Sequence, residues 1–214
     1  MIGDSTMADK PLLNNPERGW GQLFPQYFSD GVEIRNLAVN GRSTKSFIKE
    51  GRWDTVMKYM KPGDYVFIQF GHNDAGAIDK EKFRGSLKGN GNETQVVVRD
   101  SLTETVQTFG WYMEKFVKEA KEKGAIPIVL SQTPRNEWPN DKVERRADTY
   151  GGWSKIAAEN TGAFFIDLNE LVALKYEALG KETVKAFFPK DHTHTGVEGA
   201  NIKIGRASCR ERVS

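Results

Sequence analysis

The chain has 214 residues, 38% hydrophobic and 28% charged, and its 31 Lys and Arg residues nearly balance its 29 Asp and Glu residues. A chain of this length buries roughly 70% of its unfolded surface, so it needs neither disulfides nor metals to form a core. The net charge of +2 is too small to indicate nucleic-acid binding. No apolar run approaches the roughly 18 residues that span a bilayer, which argues against a membrane protein.

The two ends of the chain differ in pattern from the rest. Gly3 begins a turn that should follow a strand, yet only Met1 and Ile2 precede it, so we expect the first strand to be largely missing. Residues 205–214 lose the preceding apolar periodicity and resemble vector sequence. We therefore expect a fragment clipped at both ends, with one domain over residues 1–204 and a non-native tail that contains the single cysteine.

Strand and helix patterns alternate between these ends. Segments 32–39, 65–70, 126–130 and 164–167 are rich in β-branched and aromatic residues and adjoin turn signals. The last three are nearly continuous apolar runs, which are typical of strands buried on both faces of a parallel sheet. Helices are predicted in the intervals, at residues 22–28, 46–60, 101–123, 143–159 and 168–179.

The clearest predicted helix begins with a capping box. Ser101 and Glu104 have the spacing at which each side chain satisfies the other's backbone amide, and Gly124 supplies the end. Strands that alternate with helices predict an α/β fold, a three-layer α/β/α sandwich around a mostly parallel central sheet.

Four polar segments follow or lie near predicted strand ends, at residues 3–6, 40–43, 71–74 and 191–194. In an open parallel sheet, ligands bind beyond the carboxyl ends of the strands. Each segment alone is weak, because Gly-Asp-Ser and Asn-Gly are common turns. Their occurrence together, in this order, favours a functional site.

The four segments together resemble the SGNH, or GDSL-type, hydrolase superfamily, whose characteristic Ser, Gly, Asn and His correspond to Ser5, Gly41, Asn73 and His194. The resemblance extends to about residue 203 and implies a flavodoxin-like sheet. Gly-Asp-Ser-Thr-Met near the start and Asp-His-Thr-His-Thr near the end look most like the rhamnogalacturonan acetylesterase branch. Those enzymes remove acetyl groups from pectin backbones.

The residue types also fit ester hydrolysis on chemical grounds. A serine hydroxyl is a poor nucleophile unless an imidazole accepts its proton, so we assign Ser5 as nucleophile and His194 as base. Asp191 lies three residues before His194, a spacing that places both side chains on one side of a helical turn or tight loop. We expect Asp191 to orient the imidazole.

Three donors are expected to stabilise the oxyanion: the backbone amides of Ser5 and Gly41 and the side-chain amide of Asn73. Gly41 allows the backbone to approach a reacting carbonyl closely because it has no Cβ. An aspartate at position 73 would repel the developing negative charge, whereas asparagine offers an NH₂ donor.

Competing functions remain open on the sequence alone. Neither a Gly-x-Ser-x-Gly elbow nor a Walker A or His-Glu-x-x-His motif occurs in the chain. Asp191, His192 and His194 could instead bind a metal in a metal-dependent hydrolase, although the expected site contains neither metal nor cofactor. The chain could also be a non-catalytic carbohydrate-binding relative or an inactive fragment.

The resemblance implies an acetylated polysaccharide or oligosaccharide substrate, and pectin carries galacturonate carboxylates. Arg42, Lys45 and Lys190 neighbour the predicted site and are candidate partners for those carboxylates, while Trp138 is the candidate platform for a sugar ring. We expect a monomer that binds neither nucleic acid nor membrane. Relatives that act on plant polymers are exported, which suggests an extracellular location, although no signal peptide is present in the chain.

Overall fold

The computed structural model describes residues 1–79, 84–99 and 102–207. The strands are β1 (Ile2–Gly3), β2 (Tyr65–Gln69), β3 (Thr94–Arg99), β4 (Leu102–Gln107), β5 (Ile126–Leu130) and β6 (Phe164–Ile166). The helices are α1 (Trp20–Leu23), α2 (Thr44–Lys49), α3 (Arg52–Tyr59), α4 (Phe109–Glu122), α5 (Tyr150–Thr161), α6 (Leu168–Leu179), α7 (Lys181–Lys185) and α8 (Val197–Ala207). Short 3₁₀ helices cover Phe24–Tyr27 and Pro139–Asp141.

The central sheet has four parallel strands in the order β1-β2-β5-β6. Ile2 is aligned with Ile68, and Phe67 of β2 with Ile128 of β5. The three apolar runs after residue 60 are therefore strands, as the sequence predicts. Because all four strands run in one direction, the segments that leave their carboxyl ends emerge at the same edge.

Helices cover both faces of the sheet, which confirms the predicted three-layer α/β/α sandwich. One face of the sheet packs on α2, α3, α4 and α5, and the other on α1, α6, α7 and α8. The two sides are set by alternation within a strand: Val66 and Ile68 belong to the first cluster, and Phe67 packs against the second. Both faces are apolar, so the strands read as continuous hydrophobic runs.

The sequence predicts a strand over residues 32–39, but the structure gives them no regular strand. They nevertheless run beside β1, where the amides of Leu37 and Val39 donate to the carbonyls of Met1 and Gly3 at 2.9 and 3.0 Å. The amino group of Met1 donates in return to the carbonyl of Arg35 at 2.8 Å. Because β1 has only two residues, the ladder extends no further, and the segment stays irregular.

The predicted helix start at residues 101–104 is wrong. Glu104 lies in β4, which pairs antiparallel with β3 in a two-stranded hairpin, and Ser101 lies outside the described residues. Val97 and Val106 are buried while Val96 and Val98 are exposed, an alternation of period two that favours a strand. The helix begins at Phe109 instead, capped by Thr108, whose hydroxyl accepts from the amide of Trp111 at 3.1 Å.

Other helix boundaries shift from their predicted positions. The predicted helix over residues 46–60 is two helices, α2 and α3, because Gly51 between them has a φ of +68°. The helix predicted from residue 143 begins at Tyr150, whereas the helix over residues 168–179 ends at Gly180 as predicted. At the carboxyl terminus, α8 continues through residues 205–207, and residues 208–214 lie outside the described range. The non-native tail therefore stays a prediction.

Across the three described ranges, none of the helices has the length and apolar character required to cross a bilayer.

Replacing Thr108 with alanine tests the observed start of α4. The hydroxyl also donates to the carbonyl of Gly91 at 2.6 Å, so Thr108→Ala loses two hydrogen bonds. We expect the free energy of unfolding to fall by about 1–2 kcal/mol, measured by urea denaturation. Thr55→Ala on the exposed surface of α3 is the control, with a change within about 0.5 kcal/mol. Equal small changes in both variants would contradict the assigned cap.

Candidate active site

Ser5, His194 and Asp191 form one hydrogen-bonded row. The Ser5 hydroxyl lies 2.8 Å from Nε2 of His194, although the two residues are 189 positions apart in sequence. On the other side of the ring, Nδ1 of His194 lies 2.6 Å from Oδ2 of Asp191. The structure therefore brings together all three residues that the sequence assigns to nucleophile, base and orienting group.

Ser5 occupies a tight turn directly after β1. The buried carboxylate of Asp4 accepts from the amide and the hydroxyl of Thr6 through Oδ1, at 2.9 and 2.8 Å. The Thr6 hydroxyl accepts in turn from the side-chain amide of Gln69 at 3.0 Å. Because Gln69 is the last residue of β2, these bonds fix the turn to the end of the neighbouring strand.

The segment that carries His194 is held by its own short-range bonds. Oδ1 of Asp191 accepts from the backbone amides of Thr193 and His194, both at 2.7 Å. Burial opposes the negative charge of Asp191, but these amides and the His194 ring outweigh burial and lower its pKa to about 2. Asp191 is therefore an anion at neutral pH, suited to accept a hydrogen bond from a protonated Nδ1.

Gly41 and Asn73 lie at the same edge of the sheet as Ser5. The amide of Val39 donates to the carbonyl of Gly3, so the turn that contains Gly41 starts beside the turn that contains Ser5. Gly41 has a φ of +75°, a conformation that favours glycine. Asn73 is buried, and its Nδ2 donates to the carbonyl of Arg42 at 3.0 Å. That bond uses one of its two amide hydrogens.

Asp74 is a buried carboxylate to which sequence reasoning gave no role. It accepts from the amide and the hydroxyl of Thr44, and from the hydroxyl of Ser86 at 3.1 Å. Burial raises the pKa of Asp74 to about 7, while the Thr44 and Ser86 donors favour its ionised form. Its position next to Asn73 is the feature of the sequence that could have indicated a role. Its partners, Thr44 and Ser86, lie too far from Asp74 along the chain for residue spacing to predict these contacts.

The structure does not support Lys45 as a cation that faces a substrate. Its side chain is only 2% exposed, and Nζ lies 3.2 Å from a carboxylate oxygen of Glu104 on β4. Lys49 approaches the other oxygen of Glu104 at 3.6 Å. Proximity in sequence to Gly41 suggested a role at the site, but the first turn of α2 points Lys45 toward the hairpin instead.

Arg42 and Lys190 remain accessible. Nε of Arg42 lies 3.0 Å from Glu50, and its Nη1 donates to the carbonyl of Asn40, so the guanidinium stays beside the Gly41 turn. Lys190 is exposed, and its Nζ donates to Oδ1 of Asn15 at 3.0 Å. Both can contribute positive charge near the row of three residues.

Trp138 is half-buried against the core cluster that contains α6 and α8. Its indole Nε1 donates to Oδ1 of Asn136 at 2.7 Å. The loop that carries it joins the Asp191–His194 segment, because the amide of Asn136 donates to the carbonyl of His192 at 2.7 Å. A role in stacking on sugar stays a prediction.

A metal site built from Asp191, His192 and His194 loses its third ligand in the structure. His192 turns away, with Nε2 3.0 Å from Glu137. Among the residues that the structure describes, the grouped candidate ligands are Glu17, Asp191 and His194, whose ligand atoms lie within 4.8 Å of one another. Sequence reasoning missed Glu17, since nothing in its surroundings marks a site. Both ring nitrogens of His194 already face Ser5 and Asp191.

His72 is half-buried, with its Nδ1 atom buried, and is not part of the row of three residues. Its Nε2 lies 3.4 Å from the hydroxyl of Thr133. Burial disfavours the charged imidazolium and lowers the pKa of His72 to about 4. The ring is therefore neutral at physiological pH, in keeping with a structural place in the loop.

Comparison with known proteins gives a consistent relationship over nearly the whole chain. Residues 1–202 match the GDSL-like Lipase/Acylhydrolase family. The rhamnogalacturonan acetylesterase of Emericella nidulans is 39% identical over 202 residues, which cover 94% of this chain and 79% of that protein. The rhamnogalacturonan acetylesterase RhgT of Bacillus subtilis is 35% identical over 197 residues, 90% of this chain and 75% of that protein. The crystal structure of YxiM from Bacillus subtilis aligns with a TM-score of 0.76 at 25% identity, over 96% of this chain and 53% of that chain.

Acid should destabilise the fold partly through His72. The pKa of His72 is about 4 in the folded protein against an ordinary 6.5. The stability that the neutral ring contributes is therefore fully present above pH 6.5 and is lost as pH falls toward 4. At about 1.4 kcal/mol per pKa unit, the loss approaches roughly 3 kcal/mol. We expect His72→Gln to remove most of this pH dependence, measured as urea unfolding free energies at pH 7 and 4.5. His192→Gln, an exposed control, keeps it, and identical pH dependence in wild type and His72→Gln would contradict the assignment.

Proposed function

The chain belongs to the GDSL-like Lipase/Acylhydrolase family, and on that premise we propose that it is a serine esterase that removes acetyl groups from carbohydrates. The observation that carries the proposal is the hydrogen-bonded row of Ser5, His194 and Asp191. The two acetylesterase relatives named above support acetylated rhamnogalacturonan as the substrate. In this proposal the enzyme acts as a monomer, without a cofactor.

Acylation begins when Ser5 Oγ attacks the carbonyl carbon of the acetyl group. His194 Nε2 accepts the hydroxyl proton as the new C–O bond forms, and Asp191 stabilises the resulting imidazolium. The same proton then passes to the sugar oxygen as its bond to the acetyl carbon breaks. The products of this half-reaction are a free sugar hydroxyl and acetyl-Ser5.

Deacylation repeats these steps with water. His194 removes a proton from the water molecule, the hydroxide attacks the acetyl carbon, and Ser5 leaves with the proton held by His194. In both half-reactions the carbonyl oxygen becomes negative, and the amides of Ser5 and Gly41 and the Nδ2 of Asn73 are the proposed donors to it. The products are acetate and the restored enzyme.

Single substitutions at the proposed site should separate the nucleophile from an oxyanion donor. We expect Ser5→Ala to abolish hydrolysis of para-nitrophenyl acetate and of acetylated rhamnogalacturonan. Asn73→Ala should lower kcat by about 10²–10³-fold, the usual cost of one lost donor. A fluorophosphonate label mapped by mass spectrometry should modify Ser5 alone.

Ser29→Ala, at an exposed serine, is the matched control and should retain full activity. Binding of acetylated oligosaccharide without hydrolysis by the wild type would favour a non-catalytic carbohydrate-binding protein. Loss of activity in EDTA, restored by a divalent cation, would favour a metal-dependent hydrolase. Either result would overturn the proposed serine mechanism.

Arg42 should contribute to selection of a charged substrate. A pectin backbone carries galacturonate carboxylates, and Arg42 holds a positive charge beside the Gly41 turn. We expect Arg42→Ala to raise KM for acetylated rhamnogalacturonan about 5- to 10-fold, as for the loss of one partly exposed ion pair, with little change for para-nitrophenyl acetate. Arg52→Ala is the control, since Arg52 also pairs with Glu50 but begins α3 and is not part of the Gly41 turn. Equal losses on both substrates would reject a role in carboxylate binding.

A further inference from the structure

Asp74 has no exposed surface and lies directly after Asn73 in sequence. Its carboxylate accepts from the backbone amide of Thr44 at 3.1 Å and also from the Thr44 hydroxyl. The hydroxyl of Ser86 donates to the same carboxylate at 3.1 Å. One buried side chain thus joins three segments that are separate in sequence.

Two of these segments carry the proposed oxyanion donors. Gly41 lies three residues before Thr44, and Asn73 is the neighbour of Asp74. A second bond runs between the same segments, because Nδ2 of Asn73 donates to the carbonyl of Arg42 at 3.0 Å. The two segments are therefore connected twice, with the Asp74 side chain accepting and the Asn73 side chain donating.

We propose that Asp74 is a positioning residue that fixes the distance between the Gly41 turn and Asn73, so that both donors meet one oxyanion. This inference rests on the proposed esterase function. Donors must lie about 2.7–3.1 Å from the oxyanion to stabilise it, so a small separation of the two segments weakens one of them. Asp74 does not touch the substrate and acts through its neighbours.

The chemistry of the contacts explains why a carboxylate occupies this position. Oδ1 of Asp74 accepts from all three of these donors, and Oδ2 lies 3.3 Å from the Thr44 amide as a second acceptor. Burial raises the pKa of Asp74 to about 7, but the Thr44 and Ser86 donors favour the ionised form, to which their bonds are stronger than to a neutral acid. An asparagine that kept its oxygen at the Oδ1 position would place an NH₂ group at the Oδ2 position, 3.3 Å from the Thr44 amide, where two donors would face each other.

The segment that contains Arg84 and Ser86 adds a restraint on the Gly41 turn. The amide of Ser86 donates to the backbone carbonyl of Asp74 at 3.2 Å, so Ser86 is bound to Asp74 by both its amide and its hydroxyl. Two residues earlier, Nη1 of Arg84 approaches the carbonyl of Gly41 at 3.5 Å. Asp74 therefore also places the segment that lies against the Gly41 turn.

The test is the steady-state hydrolysis of para-nitrophenyl acetate by the full chain. We expect Asp74→Asn to lower kcat about 10- to 100-fold, less than the loss of a donor itself, with KM within about twofold. Thr44→Val removes the hydroxyl that donates to the Asp74 carboxylate and should lower kcat in the same way. Thr44→Ser keeps the hydroxyl and should restore most of the activity. Fluorophosphonate titration gives the concentration of intact sites for each variant.

A double-mutant cycle separates positioning from general support of the fold. In an Asn73→Ala background one of the two positioned donors is already gone, so Asp74→Asn should cost less than about threefold in kcat. Thr161→Val on α5, where the hydroxyl donates within its own helix, is the matched control and should retain wild-type kcat.

Each outcome decides between the two proposals. A wild-type chain that hydrolyses no acetyl ester overturns the esterase function. An active wild type with Ser5-dependent turnover, combined with wild-type kcat in Asp74→Asn and Thr44→Val, overturns the role of Asp74. An equal loss in kcat with and without Asn73 also overturns it, because the effect would then not pass through the oxyanion donors.

Discussion

Parallel pairing of β1 with β2 is the constraint on which the site depends. It aligns Gly3 with Gln69, so the turn after β1 and the loop after β2 leave the sheet side by side. The segments that carry Ser5 and Asn73 then leave the same edge of the sheet, even though α1, α2, α3 and a long irregular segment separate the two residues along the chain. On its other side, β1 is held by the bonds from Leu37 and Val39, which also deliver the Gly41 turn to this edge.

Carboxylates organise the polar groups at this edge through hydrogen bonds from nearby donors. Asp191 accepts hydrogen bonds from two backbone amides and one ring nitrogen of residues within three positions of it, which orders the segment that carries His194. Asp4 binds the Ser5 turn through Thr6, and Asp74 joins the segment of Asn73 to the segment after Gly41 through Thr44. Asp4 and Asp74 are buried, and the donors of Thr6, Thr44 and Ser86 offset part of the cost of burying their carboxylates.

Much of the fold and the site could be predicted from sequence because the signals were local. The runs over residues 65–70 and 126–130 have the near-continuous apolar character of a strand covered on both faces. The three-residue spacing of Asp191 and His194 predicts that both side chains lie on one side of a turn. Sequence-based prediction failed where contacts between segments distant in the chain determine the local structure. Glu104 pairs with Lys45 rather than capping a helix, and no spacing rule links Asp74 to Thr44 or Glu17 to His194.

The loop around Trp138 and the segment of the base are tied together by the bond from Asn136 to the carbonyl of His192 and by the contact between Glu137 and His192. A change in the length of that loop would therefore displace the imidazole of His194 as well. Natural variation in this loop should therefore preserve its attachment at residue 192 while its tip diverges.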